Sequence, residues 1–140
     1  IESLYDAGKT KMIGSSNVTA DQLTLLCARA ARKPMVVQNR CYAALGWDQD
    51  VRAICRTHGI IYQGFSLLTA NRELFADPEV RAMAAKYGMG LAQLVFRFAM
   101  QTGMLPLTGT TDPQHMQEDL RSDQFTIAPD DLQRLEIIGM

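Results

Sequence analysis

Met12-Ile13-Gly14-Ser15-Ser16-Asn17, Met35-Val36-Val37-Gln38-Asn39 and Ile60-Ile61-Tyr62-Gln63-Gly64-Phe65-Ser66 are three apolar runs that each close on small polar residues. A continuous apolar run of this length suits a strand buried on both faces of a parallel sheet. Between the runs lie helical patterns, so the segments read as successive βα units whose strand ends gather polar groups at one rim. In parallel α/β folds that rim is where ligands bind.

Working outward, the first strand is expected over 11–15. A helix should follow to about residue 32, started by Thr19 as cap, with Gln22 reciprocating and Val18 and Leu23 as a hydrophobic staple. Pro34 separates it from a strand over 35–39. A polar-aromatic loop, 40–47, leads to a helix over 48–57 that Gly59 stops, and the third strand spans 60–65. The stretch 67–76 reads as an inserted loop. Asp77-Pro78-Glu79 then opens a helix over 78–87, a second helix spans 91–102, and the fourth strand covers 104–107. Asp112-Pro113 repeats the cap-plus-proline start for a helix to about 121, and a last helix covers 129–138. Four βα units with a C-terminal helix define an α/β fold of parallel strands. Periodicity alone does not separate an open doubly wound sheet from part of a closed barrel.

With 140 residues and 47% hydrophobic content, residues 1–140 can form one domain, and a net charge of −1 gives no reason to expect nucleic acid or an anionic membrane as partner. No apolar run approaches the ~18 residues that span a bilayer, so a cytoplasmic protein is expected. The chain opens at Ile1 inside a helical pattern that ends at Gly8, which suggests that a preceding segment has been removed or was never present. Cys27, Cys41 and Cys55 match neither a zinc spacing nor a disulfide framework. They are expected to be free thiols, with no metal site.

Gly8-Lys9-Thr10-Lys11-Met12-Ile13-Gly14-Ser15-Ser16-Asn17, Lys33-Pro34-Met35-Val36-Val37-Gln38, His58-Gly59-Ile60-Ile61 with Phe65-Ser66-Leu67-Leu68, and Leu105-Pro106-Leu107-Thr108-Gly109-Thr110-Thr111-Asp112-Pro113-Gln114-His115-Met116-Gln117-Glu118-Asp119-Leu120 together resemble, in order, the C-terminal half of the aldo-keto reductases. The resemblance implies half of a (β/α)8 TIM-type barrel and a nicotinamide dinucleotide, NADP or NAD, bound extended without a Gly-rich motif. It implies that Ser16, Asn17 and Gln38 meet the nicotinamide carboxamide, that Phe65 stacks on the ring, and that Ser66 and Leu68 line the pyrophosphate path. At the last strand exit the family's lysine, small hydroxyl and arginine are here Gly109, Thr110 and His115. Thr111 stands beside them, and Glu118 and Asp119 align with the pair that holds the adenine. The loss of two cations weakens the preference for NADP.

The family's proton-donating tyrosine, with its lysine, aspartate and histidine, belongs to the other half of the barrel, so no catalytic residue is assigned here. The resemblance therefore implies the cofactor side of a carbonyl-reducing enzyme. A carbonyl substrate would be engaged only when the catalytic half is supplied, and little activity is expected of this chain alone. The alternative is a non-catalytic half-barrel with a nucleotide-binding, structural or regulatory role. Open sheet edges would then favour a homodimer.

Overall fold

The computed structural model describes residues 1–140. Its four strands are β1 (Gly14–Ser16), β2 (Val36–Arg40), β3 (Ile61–Phe65) and β4 (Met104–Pro106). All neighbours pair in parallel, in the order β1-β2-β3-β4. The helices are α1 (Glu2–Asp6), α2 (Ala20–Arg29), α3 (Gln49–His58), α4 (Pro78–Lys86), α5 (Leu91–Gln101), α6 (Pro113–Leu120) and α7 (Pro129–Ile137). The expected α/β sequence of four βα units with a terminal helix is the observed one.

The elements begin and end for local reasons. Thr19 and Gln22 form the expected reciprocal cap of α2, with Gln22 N–H donating to Thr19 Oγ1 at 3.3 Å and Thr19 N–H to Gln22 Oε1 at 2.9 Å. The helix stops at Arg29 rather than near 32, because Arg32 is drawn to α1. Its N–H donates to Glu2 Oε1 at 2.8 Å and its guanidinium to Asp6 Oδ1 at 2.9 Å. β1 starts only at Gly14, three residues later than expected, where it comes so close to β2 that an added Cβ would lie 2.6 Å from the Val36 carbonyl oxygen. Asp77 and Asp112 cap α4 and α6 ahead of their prolines, as the sequence indicates.

Two stretches read as loops carry more structure than that. Residues 43–48 form a 3₁₀ segment in which Trp47 and Asp48 adopt φ of 55° and 59°. Burial holds this left-handed backbone in place. Trp47 is fully buried against Phe98, ring centroids 4.8 Å apart, and its indole N–H donates to the Leu135 carbonyl at 2.9 Å. Buried Arg52 donates to the carbonyls of Trp47 and Thr102 and pairs with Glu136. Within 67–76, buried Asn71 accepts from Ala43 N–H at 2.6 Å and donates to the carbonyls of Cys41 and Leu67. The loops at the ends of β2 and β3 are thereby pinned together.

Strand alternation sorts the two sheet faces. Val37, Asn39, Tyr62 and Gly64 are buried toward the helices, where one core of 23 buried residues gathers. The opposite face carries Val36, Gln38, Ile61, Gln63 and Phe65, and it stays open: Ile61 is 46% and Leu105 48% exposed.

Candidate functional site

The open face meets the rim at the C-terminal ends of β1, β2 and β3. Ser16 pairs in register with Gln38, and Gln38 with Gln63. Ser16 Oγ–H donates to the Gln38 carbonyl at 2.8 Å, and Asn17 N–H donates to the same oxygen at 3.0 Å. Asn17 has φ 54°, which turns the chain from strand toward α2. Gln38 Nε2 donates to Gln63 Oε1 at 3.1 Å. Three of the expected residues thus form one amide and hydroxyl cluster. Gln63 joins it and was missed by sequence reasoning, although its place two residues before Phe65 puts both on one face of β3.

Phe65 stands one rung nearer the rim, in register with Arg40. The Arg40 guanidinium carbon lies 6.0 Å from the ring centroid, and Arg40 Nε donates to Ser66 Oγ at 3.3 Å. Ser66, with φ 57°, turns the chain into a cleft of about 300 Å³. Ser66, Leu68, Thr69, Phe96, Thr108 and Gly109 are among its walls, and none of the lining side chains is charged. The backbone N–H groups of Ser66, Leu67, Leu68 and Thr69 make no hydrogen bond within the chain.

The expected residues after β4 lie around the start of α6, apart from the amide cluster. Thr110 Oγ1 accepts from Asp112 N–H at 3.1 Å, and Asp112 accepts from Gln114 N–H at 2.8 Å. His115 Nδ1 is 3.9 Å from the Asp112 carboxylate. Glu118 accepts from Gln114, and Asp119 from Thr108 Oγ1 at 3.1 Å. Thr111 is exposed and makes no side-chain hydrogen bond. The segment from Thr108 to Asp119 contains no lysine or arginine.

Two of the four tyrosines have hydroxyls engaged elsewhere. Tyr62 points to the helix-covered side, where its hydroxyl donates to Asp48 Oδ2 at 2.7 Å and burial pushes its pKa far up. Tyr87 donates to Asp131 and accepts from Ala128 N–H, which uses its hydroxyl to fasten α7. The three cysteines are free and buried. Burial pushes the Cys41 thiol up to about 12 and the Cys55 thiol to about 11, which makes both poor nucleophiles.

Four parallel strands with helices on one face, and polar groups at the carboxyl ends of the strands on the other, define part of a parallel βα barrel. The chain belongs to the aldo/keto reductase family, whose model matches residues 1–139. It is 28% identical over 142 residues to aldo-keto reductase family 1 member A1 of Xenopus tropicalis, covering 95% of this chain and 43% of that protein. An uncharacterized oxidoreductase of Schizosaccharomyces pombe is 32% identical over 136 residues, 96% of this chain and 47% of its own length. Among solved structures, an aldo-keto reductase from a Medee basin deep-sea metagenome library superposes with a TM-score of 0.88 at 22% identity. That match covers 99% of this chain and 52% of the other, so the fold is that of half a reductase barrel. The chain spans about half the length of the relatives it matches.

Proposed function

We propose that this rim is the nicotinamide dinucleotide wall of a carbonyl-reducing aldo-keto reductase, with residues 1–140 as one half-barrel domain in a cytoplasmic protein. The observation that carries the reading is the convergence of Ser16, Gln38, Gln63 and Phe65 on one open face at neighbouring strand ends. When bound, the cofactor supplies the hydride for a carbonyl carbon.

The groups left over fit such a molecule. Gln38 Oε1, the Gln63 amide N–H groups and the Asn17 side chain are unspent within the chain, and together they offer an acceptor and donors to a planar carboxamide. Phe65 offers a flat apolar surface beside them. The unspent N–H groups from Ser66 to Thr69 suit phosphate oxygens. The α6 end does not suit a 2′-phosphate, because Asp112 already caps the helix and no cation accompanies it. Glu118 and Asp119 there suit the adenine, whose exocyclic amine donates to carboxylates. NAD is therefore favoured over NADP.

The proton donor is assigned to the other half of the barrel. No tyrosine stands on the open face of β1 to β3, and the hydroxyls of Tyr62 and Tyr87 are already bonded on the opposite side of the sheet or at α7. A second reading, a non-catalytic half-barrel that pairs with another copy, is favoured by the exposure of Ile61 and Leu105.

Titration of the 140-residue chain with NADH and with NADPH, followed by nicotinamide fluorescence, tests the proposal. Saturable enhancement with NADH, and weaker enhancement with NADPH, is expected. No response to either cofactor refutes it, and a stronger response to NADPH refutes the preference.

A further inference from the structure

We propose that Arg40 is the oxyanion anchor of this rim, gripping a pyrophosphate seated in the cleft between the exits of β3 and β4. The inference rests on the dinucleotide reading above and adds to it a residue that the family resemblance does not supply.

Arg40 is the last residue of β2, exposed, and placed where the amide cluster meets the cleft. Its guanidinium is held along one edge only, over Phe65 and by the bond from Nε to Ser66 Oγ. Both Nη groups are without partners in the chain. Arg32, Arg52 and Arg134 each pair with a carboxylate, whereas Arg40 has none within reach. A planar fork fixed at its edge with its outer nitrogens free is arranged for two oxygens of one anion.

The cleft beyond Ser66 answers the same chemistry. Its eight lining residues include the uncommitted hydroxyls of Ser66 and Thr69 and no carboxylate, while the hydroxyl of Thr108 already donates to Asp119. The left-handed turn at Ser66 opens a run of backbone N–H groups that find no acceptor. Such a run of amides forms a concavity that binds anions. Arg40, through its bond to Ser66, two hydroxyls and the backbone amides therefore border a space whose lining carries no carboxylate. A single carboxylate offers two oxygens to so many donors, whereas a pyrophosphate offers enough for the fork, the hydroxyls and the amides together.

The test uses the full chain with two probes. Sodium pyrophosphate is followed through the Arg40 Nε–Hε resonance, and NADH through its fluorescence. Pyrophosphate is expected to shift that resonance saturably, and Arg40→Met to weaken both ligands by about tenfold at low salt, the scale of a lost charge-assisted bond. Arg40→Lys should recover part of the loss, and added salt should weaken the wild type more than Arg40→Met. Because the side chain is exposed, Arg40→Met should melt as the wild type does. Should it fail to fold, Arg40→Gln takes its place. Pyrophosphate binding without any NADH response would retire the dinucleotide reading and keep the anchor. Binding of both ligands by Arg40→Met as by the wild type would overturn the anchor, and so would malonate binding more tightly than pyrophosphate.

Discussion

Asn71 supports the rim although it forms no part of it. The residue is only 5% exposed, and its amide satisfies one N–H and two carbonyls that belong to the loops following β2 and β3. Asn71→Ala would leave three buried backbone groups without partners, at a cost of about 3 kcal/mol. Urea denaturation should therefore show a much lower midpoint, and an unchanged midpoint would contradict the role. Single side chains also mark where the sequence was legible. Ser16, Gln38 and Phe65 fall at strand ends, where alternation and register bring them to one face, so their grouping could be read in advance. Gln63 shares the face of Phe65 by the same alternation, whereas its partner, and that of Arg40, could not be read in this way. Nothing in the chain's order states that Gln38 faces Gln63, or that Arg40 lies over Phe65 rather than against an acid.

At the scale of elements, α7 is fastened to α4 by charge as well as by packing. Lys86 and Tyr87 both reach Asp131, and Arg134 forms a fork with Glu79 at 2.6 and 2.8 Å. Hydrogen bonds from Arg134 and from Lys86 hold Glu79 and Asp131 below their ordinary values of 4.5 and 3.8. Depressed carboxylates stabilise above those values, and the contribution is lost as pH falls through the lowered ones. The Asp131 bond raises Lys86 above 10.5, so its contribution is present below that value and lost as pH rises through the raised one. Glu79, Lys86 and Arg134 are exposed and Asp131 is half-buried, so the effect is small. Melting temperature should decline as pH falls below 4.5, with a shallower decline in Glu79→Gln combined with Asp131→Asn. Identical declines would contradict the clamp.

Element order was legible because caps, prolines and glycines punctuate it: Thr19, Asp77 and Asp112 start helices, and Gly59 ends one. Boundaries were less so where a distant side chain intervenes. Arg32 is pulled from α2 by Glu2 and Asp6, and Trp47 bends the segment after β2 because its indole reaches Leu135. Those partners lie 30, 26 and 88 positions away in the chain.

At the scale of the whole molecule, four strands leave one sheet face and both edges, β1 and β4, without neighbours. Parallel sheets are almost always covered on both faces, and eight strands are the number whose side chains fill a closed barrel. If a second copy provides the cover, the mass of this chain in solution should be that of two copies, and a stable monomer would contradict that reading. Whatever completes the barrel, the rim is the proposed cofactor wall. The most direct measurement is an amide chemical-shift map of the chain titrated with NADH. Shifts concentrated at Ser16, Asn17, Gln38, Gln63, Phe65 and Ser66 are predicted. Shifts gathered on α3 or α7, or a spectrum that NADH leaves unchanged, would contradict it.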